Sequence, residues 1–180
     1  MLHNGRRVLI AGQKSGMVWG HDPDQEGTVL WKAPLVQKLA DGLITFGGAA
    51  DDEKAYFGLR NGGLAAIEFT TGEKKWFTPI EGPKGPGPRG QSGALTAIPG
   101  VVFSDGWDGI ARAFSTDDGR LLWEYNTIRD FHTVNGVAAR GGSMGAPGPT
   151  VADGVLFVGS GYVFTVGTPG NVLLAFSAAN

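Results

Sequence analysis

The stretch GRLLWEYNT, residues 119–127, sets a glycine four places ahead of a tryptophan, and the same spacing returns in GEKKW (Gly72–Trp76) and GTVLW (Gly27–Trp31). Three of the chain's five tryptophans stand in this frame, at intervals of 45 and 47 residues. A repeat of about 40 to 50 residues is the length of a four-stranded propeller blade. The wider frame repeats too. Four segments overlay, at residues 8–31, 55–76, 101–123 and 155–180, each opening with a short β-branched or aromatic run, then a glycine turn, then a second alternating run. In the third copy Ile110, Arg112 and Phe114 alternate with Ala111 and Ala113, the period of a strand. The sequence STDDG that follows has hairpin-turn chemistry. The spacing predicts that the glycine closes a hairpin within each blade and that the tryptophan plugs a recurring slot between blades, burying a large ring whose single N–H a neighbouring backbone can satisfy.

The expectation is therefore an all-β chain, one unit over residues 1–180, built of four-stranded antiparallel propeller blades, about three full and one partial. Composition agrees: 31 glycines and 10 prolines among 180 residues favour tight turns over helices, and a 42% apolar share supplies a core. The stretches at 80–93 and 139–154 carry the chain from the outside of one blade to the innermost strand of the next. The fourth copy has an insertion, YVFTVGTP, and no glycine–tryptophan pair before Asn180. Propellers close with about 4 to 8 blades. The ring is thus expected to be completed by further blades or by a second copy of the chain, since naked blade faces expose apolar surface.

A net charge of -2 gives no basic footprint for nucleic acid. With no cysteine, disulfides and thiolate metal sites are excluded. The N-terminal run VLIAG is too short for a signal peptide core or a membrane span. Most short motifs have bland readings. GPGPRG (85–90) fits G-x-G-x-x-G but lacks a following helix, and GGSMG (141–145) places Ser143 in a hydrolase-like pattern with APGP where the helix should begin and no later histidine. DPDQEG (22–27) opens like a calcium loop, yet Ala33 stands where the bidentate glutamate is required. His3, His21 and His132 have no ligand spacing, and the acidic clusters at 51–53 and 117–118 sit in turns. No metal ligand is nominated. Lys14 in AGQKSG and Trp107 in SDGWDG occupy the glycine turn between the first two strands of their blades, the end where propeller ligand sites gather.

The chain resembles the C-terminal half of the propeller of quinoprotein alcohol dehydrogenases, which use pyrroloquinoline quinone (PQQ), and most closely the polyvinyl alcohol dehydrogenase branch. The residues carrying the resemblance are GRRVLIAGQKSGMVWGHDPDQEGTVLW, GGAADDEKAYFGL, RAFSTDDGRLLWEYNT, VNGVAARGGSMGAPGPTVADGVLFVGSGY and GTPGNVLLAFS. In that family a lysine at the Lys14 position reaches a PQQ carbonyl, where an ammonium stabilises negative charge as electrons arrive. Phe46, in ITFGG, stands where relatives hold a tryptophan, which keeps a flat apolar surface and loses the indole N–H. Trp107 is carried over as a third cofactor contact. The resemblance implies a calcium ion and an aspartate base held on segments with no counterpart here, so that this chain by itself does not oxidise an alcohol. It further implies a periplasmic setting and a cytochrome c as electron acceptor. Two alternatives stand beside it: a non-catalytic scaffold using the repeat for assembly, and a half-ring that pairs with a second copy.

Overall fold

The computed structural model describes residues 2–3, 6–37, 43–60, 62–80, 90–91, 93–163 and 167–178. A short antiparallel pair, β1 (Leu2–His3) and β2 (Arg6–Arg7), precedes the first blade. That blade is β3 (Leu9–Gly12), β4 (Met17–Asp22) and β5 (Thr28–Pro34), a three-stranded sheet in chain order. The second has four strands, β6 (Ala49–Ala50), β7 (Lys54–Leu59), β8 (Gly63–Glu68) and β9 (Lys74–Pro79). The third repeats it as β10 (Thr96–Ile98), β11 (Val101–Asp105), β12 (Ile110–Ser115) and β13 (Leu121–Asn126). A separate hairpin, β14 (Asp130–His132) with β15 (Ala138–Arg140), stands on the connection to the fourth sheet, which is β16 (Thr150–Ala152), β17 (Val155–Ser160) and β18 (Val172–Ser177). All pairings are antiparallel, and the inner strands β6 and β10 of adjoining blades approach one another. The antiparallel blade sheets expected from the repeat are present, but where about three full blades and one partial are expected, two sheets have four strands and the first and fourth have three among the described residues.

The middle strands are buried on both faces, which explains why KAYFGL and GLAAIE read as nearly continuous apolar runs. Alternation sorts their side chains between two seams. Ala55, Phe57, Leu59, Ala65 and Ile67 join Val18, Leu35 and Ile44 between the first and second blades. Tyr56, Leu64 and Ala66 face the other way, onto Leu95, Val102 and Phe114 of the third. Met144, Ala111, Leu156 and Val158 form the third seam, with Phe103, Trp123 and Phe176 at its edge.

The glycine–tryptophan frame works across these seams. The Trp31 indole Nε1 donates to the carbonyl of Phe69 at 3.0 Å, and the Trp76 Nε1 donates to that of Thr116 at 3.0 Å. Each ring lies on a turn glycine of the next blade: a Cβ on Gly72 would stand 2.5 Å from Trp31, and one on Gly119 would stand 2.5 Å from Trp76. The glycine four places before each tryptophan therefore closes its own hairpin, with φ of 75° and 72°, and also seats the ring of the preceding blade. The spacing itself contains a bulge. Trp31 pairs with Gly20, Trp76 with Ala66 and Trp123 with Ala113, and in all three blades the register slips beside that pair, leaving the residue before the tryptophan as the extra one.

Gly27 has the same backbone, φ 76°, but a Cβ there meets nothing within 4 Å. Gly27→Ala is expected to cost only the left-handed strain, about 1 to 2 kcal/mol. Gly119→Ala adds overpacking against Trp76, about 1 to 3 kcal/mol more. Urea unfolding of the two variants measures the difference, and equal losses would contradict the seat.

Candidate functional site

Antiparallel order puts the β3–β4, β7–β8 and β11–β12 turns at one end of the blades, together with the connections leaving β5, β9 and β13. Lys14, Phe46 and Trp107 all fall at this end, each from a different turn or connection. Lys14 is exposed on a tight turn closed by the Gly16 amide on the Gln13 carbonyl at 2.9 Å. Phe46 is exposed, two residues beyond the buried Ile44, on a segment tied to the third blade by the Leu95 amide donating to the Gly47 carbonyl at 3.0 Å.

Trp107 is half-buried and held from both neighbouring blades. Its amide donates to the Gly90 carbonyl at 3.2 Å, and its carbonyl accepts the Ser143 hydroxyl at 2.8 Å. The ring lies against Gly145, where a Cβ would be 2.6 Å away, and the Arg60 guanidinium stands 5.9 Å from its centroid. That distance is within range of a cation–π contact. Arg60 was not singled out by the sequence. It stands at the same turn position as Lys14, one blade on, so the repeat itself carried the signal.

The motifs with bland readings behave as turns and seams. Ser143 is buried, donating to the Trp107 carbonyl and accepting the Thr168 amide at 2.9 Å, so its hydroxyl is committed to structure. Asp22 caps the DPDQEG turn by accepting the Asp24 amide at 2.9 Å. Asp51 accepts the amides of Glu53 and Lys54 and the Tyr56 hydroxyl. Burial works to raise its pKa, but these hydrogen bonds outweigh it and hold the carboxyl below its ordinary value. His21 Nδ1 lies 2.8 Å from the Gly27 carbonyl, and His132 is exposed on β14. GPGPRG lies outside the described residues except for Gly90, as does the middle of the YVFTVGTP insertion. Among the described residues no group of three or more His, Asp or Glu side chains is placed to hold a metal ion.

Beneath this surface runs a polar layer that the sequence did not reveal. Ser104 donates to Gln91 Oε1 at 2.7 Å, both residues being fully buried, and Gln91 Nε2 has no partner. Next along β11, Asp105 is fully buried with neither carboxyl oxygen hydrogen-bonded, against Gly93, where a Cβ would be 2.0 Å from Oδ1. Asp108 beside it is paired with Arg112 at 2.6 Å. Burial first, and the charge of Asp108 second, push the Asp105 carboxyl well above its ordinary value of 3.8. The available signal was the polar pair Ser104–Asp105 ending an apolar strand.

A family model described as outer membrane protein assembly factor BamB, PQQ_2, matches residues 14–141. The chain belongs to this PQQ-type family. Two polyvinylalcohol dehydrogenases are similar over almost its whole length: one from Pseudomonas sp. is 40% identical over 98% of the chain, and one from Sphingopyxis sp. (strain 113P3) is 36% identical over 97%. The chain spans about a third of those relatives, 31% of each. Among solved structures, quinohemoprotein alcohol dehydrogenase from Comamonas testosteroni superposes with a TM-score of 0.67 at 18% identity, over 86% of this chain and 28% of that one. This likeness shows the fold. The resemblance read from the sequence thus holds, and the blades are those of a PQQ-type propeller. No described helix is long and apolar enough to cross a membrane.

The buried acid gives a test of the polar layer. Folded protein keeps a proton on Asp105 that the unfolded chain releases above pH 3.8. Its contribution to stability is complete below that value and falls as pH rises towards the raised folded pKa, by at most about 1.4 kcal/mol per pH unit. Urea unfolding between about pH 4 and about pH 7 should show wild type losing stability relative to Asp105→Asn. Parallel pH profiles would contradict the buried neutral acid.

Proposed function

We propose that the chain is part of a PQQ-dependent alcohol dehydrogenase of the polyvinyl alcohol type, and that its Lys14 end lines the quinone pocket. The similarity to two polyvinylalcohol dehydrogenases over nearly all of its residues carries the reading. The donor set fits the group. Lys14 and Arg60 supply cations on adjacent turns, and Phe46 and Trp107 supply flat faces, as a planar quinone bearing negative charge requires. When bound, the quinone supplies two-electron acceptance from the alcohol. Lys14 holds a positive charge where negative charge gathers, Trp107 is fixed in place by two blades, and the half-buried seam keeps water from one side.

The carboxylate base and the calcium ion of the complete enzyme belong, in this reading, to the parts of the relatives beyond the matched third, and the chain alone does not turn over alcohol. Further blades are its first partners, a second copy its alternative partner, and a periplasmic cytochrome c its electron acceptor. A second reading, a non-catalytic propeller scaffold, draws on the exposure of Lys14 and on the family model's BamB description.

Titration with PQQ and calcium of the chain within its completed ring, followed by quinone absorbance, separates the two. The expected result is saturable binding, weakened about 10- to 100-fold by Lys14→Ala, the size of one lost charge-assisted hydrogen bond. Wild type without binding, or a Lys14→Ala variant that binds equally, would favour the scaffold.

A further inference from the structure

The hairpin β14–β15 belongs to no blade. It stands on the connection from β13 to β16, at the same end as Lys14, and it is firmly mounted. Asn171, the residue before β18, donates its amide to the Arg140 carbonyl at 2.8 Å and accepts the Arg140 amide on Oδ1 at 2.9 Å, so the hairpin is laced to the fourth blade. At its base the Arg129 guanidinium lies between the rings of Tyr125 and Phe131, 4.8 and 5.1 Å from their centroids. The tip is a formed turn: the Gly136 amide donates to the Thr133 carbonyl at 3.0 Å, and the Thr133 hydroxyl lies 2.5 Å from the Val137 carbonyl.

On this rigid mount two valines are turned outward, Val134 fully and Val137 at 57% exposure. Within this chain each of the two valines leaves apolar area in water on an ordered hairpin tip. Beside them runs a groove of about 510 Å³ lined by Phe131, Thr133, Val137, Ala138, Arg140 and Asn171. Its charges are matched, Asp130 lying 3.6 Å from Arg140, so it offers no net charge to an ionic ligand. What it offers is apolar surface interspersed with hydroxyl, amide and carbonyl groups.

We infer that this hairpin groove is a second binding site for the polymer substrate, holding a stretch of uncharged chain with alternating methylene and hydroxyl-bearing carbons at a distance from the reacting unit. The inference rests on the alcohol dehydrogenase reading above and extends it to the length of the substrate. Methylene groups suit Val137, Phe131 and Ala138 in the groove and the exposed Val134 at the tip beside it, while hydroxyls find the polar edge. A charged polymer or peptide would gain nothing from the matched ion pair. A weak grip on a second stretch raises the local concentration of the first at the pocket, so long chains benefit and short alcohols do not.

The test uses the whole chain, its Val134→Ser/Val137→Ser variant and its Lys14→Ala variant, with polyvinyl alcohol and pentane-2,4-diol as ligands in equilibrium binding. Both valines are exposed, so the melting temperature should be unchanged. The polymer is expected to bind wild type more tightly than the diol, and the double variant to lose about five- to tenfold in polymer affinity with no change for the diol. Lys14→Ala should leave polymer binding intact. Equal polymer binding by wild type and double variant, or none by wild type, overturns the groove whatever the quinone titration gives. Failure of the quinone titration alone overturns the pocket while leaving the groove standing. If the double variant changes only self-association in light scattering, the hairpin joins copies of the chain and the inference is wrong.

Discussion

One contact recurs at two successive seams, between the first and second blades and between the second and third: an indole ring laid on the turn glycine of the next sheet, with its N–H given to a carbonyl three residues before that glycine. Trp31 reaches the Phe69 carbonyl and lies on Gly72, and Trp76 reaches the Thr116 carbonyl and lies on Gly119. A buried indole needs a partner for its one donor, and the receiving carbonyl needs a donor once the next blade covers it. The contact answers both needs. It also makes each repeat incomplete alone, because a turn serves the blade before it and a ring serves the blade after it. Stability in such a structure is a sum over neighbouring pairs. The bulge before each tryptophan is part of the device, turning the outer strand where the ring must leave its own sheet.

The same stacking builds the candidate site. Because blades meet through their middle strands, the connection from one outer strand to the next inner strand must cross the seam, and it brings polar groups with it. Gln91 meets Ser104 in this way, and Ser143 ties the Trp107 turn to the loop at Thr168. Trp107 is consequently braced by the connections on both sides of its blade, whereas Lys14 stands exposed on a turn closed within itself by the Gly16 amide on the Gln13 carbonyl.

The fold was legible because its cause is local in sequence: a turn glycine, a strand and a tryptophan fall within five residues and recur. The strand pairing followed from alternation, as in Tyr56 and Phe57 facing opposite seams. The second duty of the glycine was not legible, since the ring it seats comes from more than 40 residues earlier in the chain. Buried polar contacts were hidden for the same reason: nothing near Gln91 announces Ser104, and Asp105 is unusual only because both its oxygens are enclosed. The hairpin at 130–140 carries a signal that the repeat does not, Asn135–Gly136 as a strong turn pair between two short runs, but it falls outside the four overlaid segments and so outside the frame that makes the blades legible. The individual roles of Lys14, Phe46 and Trp107 come from resemblance, and geometry adds that they share one end.

The indole N–H groups report most directly on the interlock, and their hydrogen exchange can be followed by NMR with indole-labelled tryptophan. Those of Trp31 and Trp76 are predicted to exchange as slowly as amides of the middle strands, because release requires two blades to part. Exchange of either at the rate of free indole, in protein whose strand amides remain protected, would contradict the account.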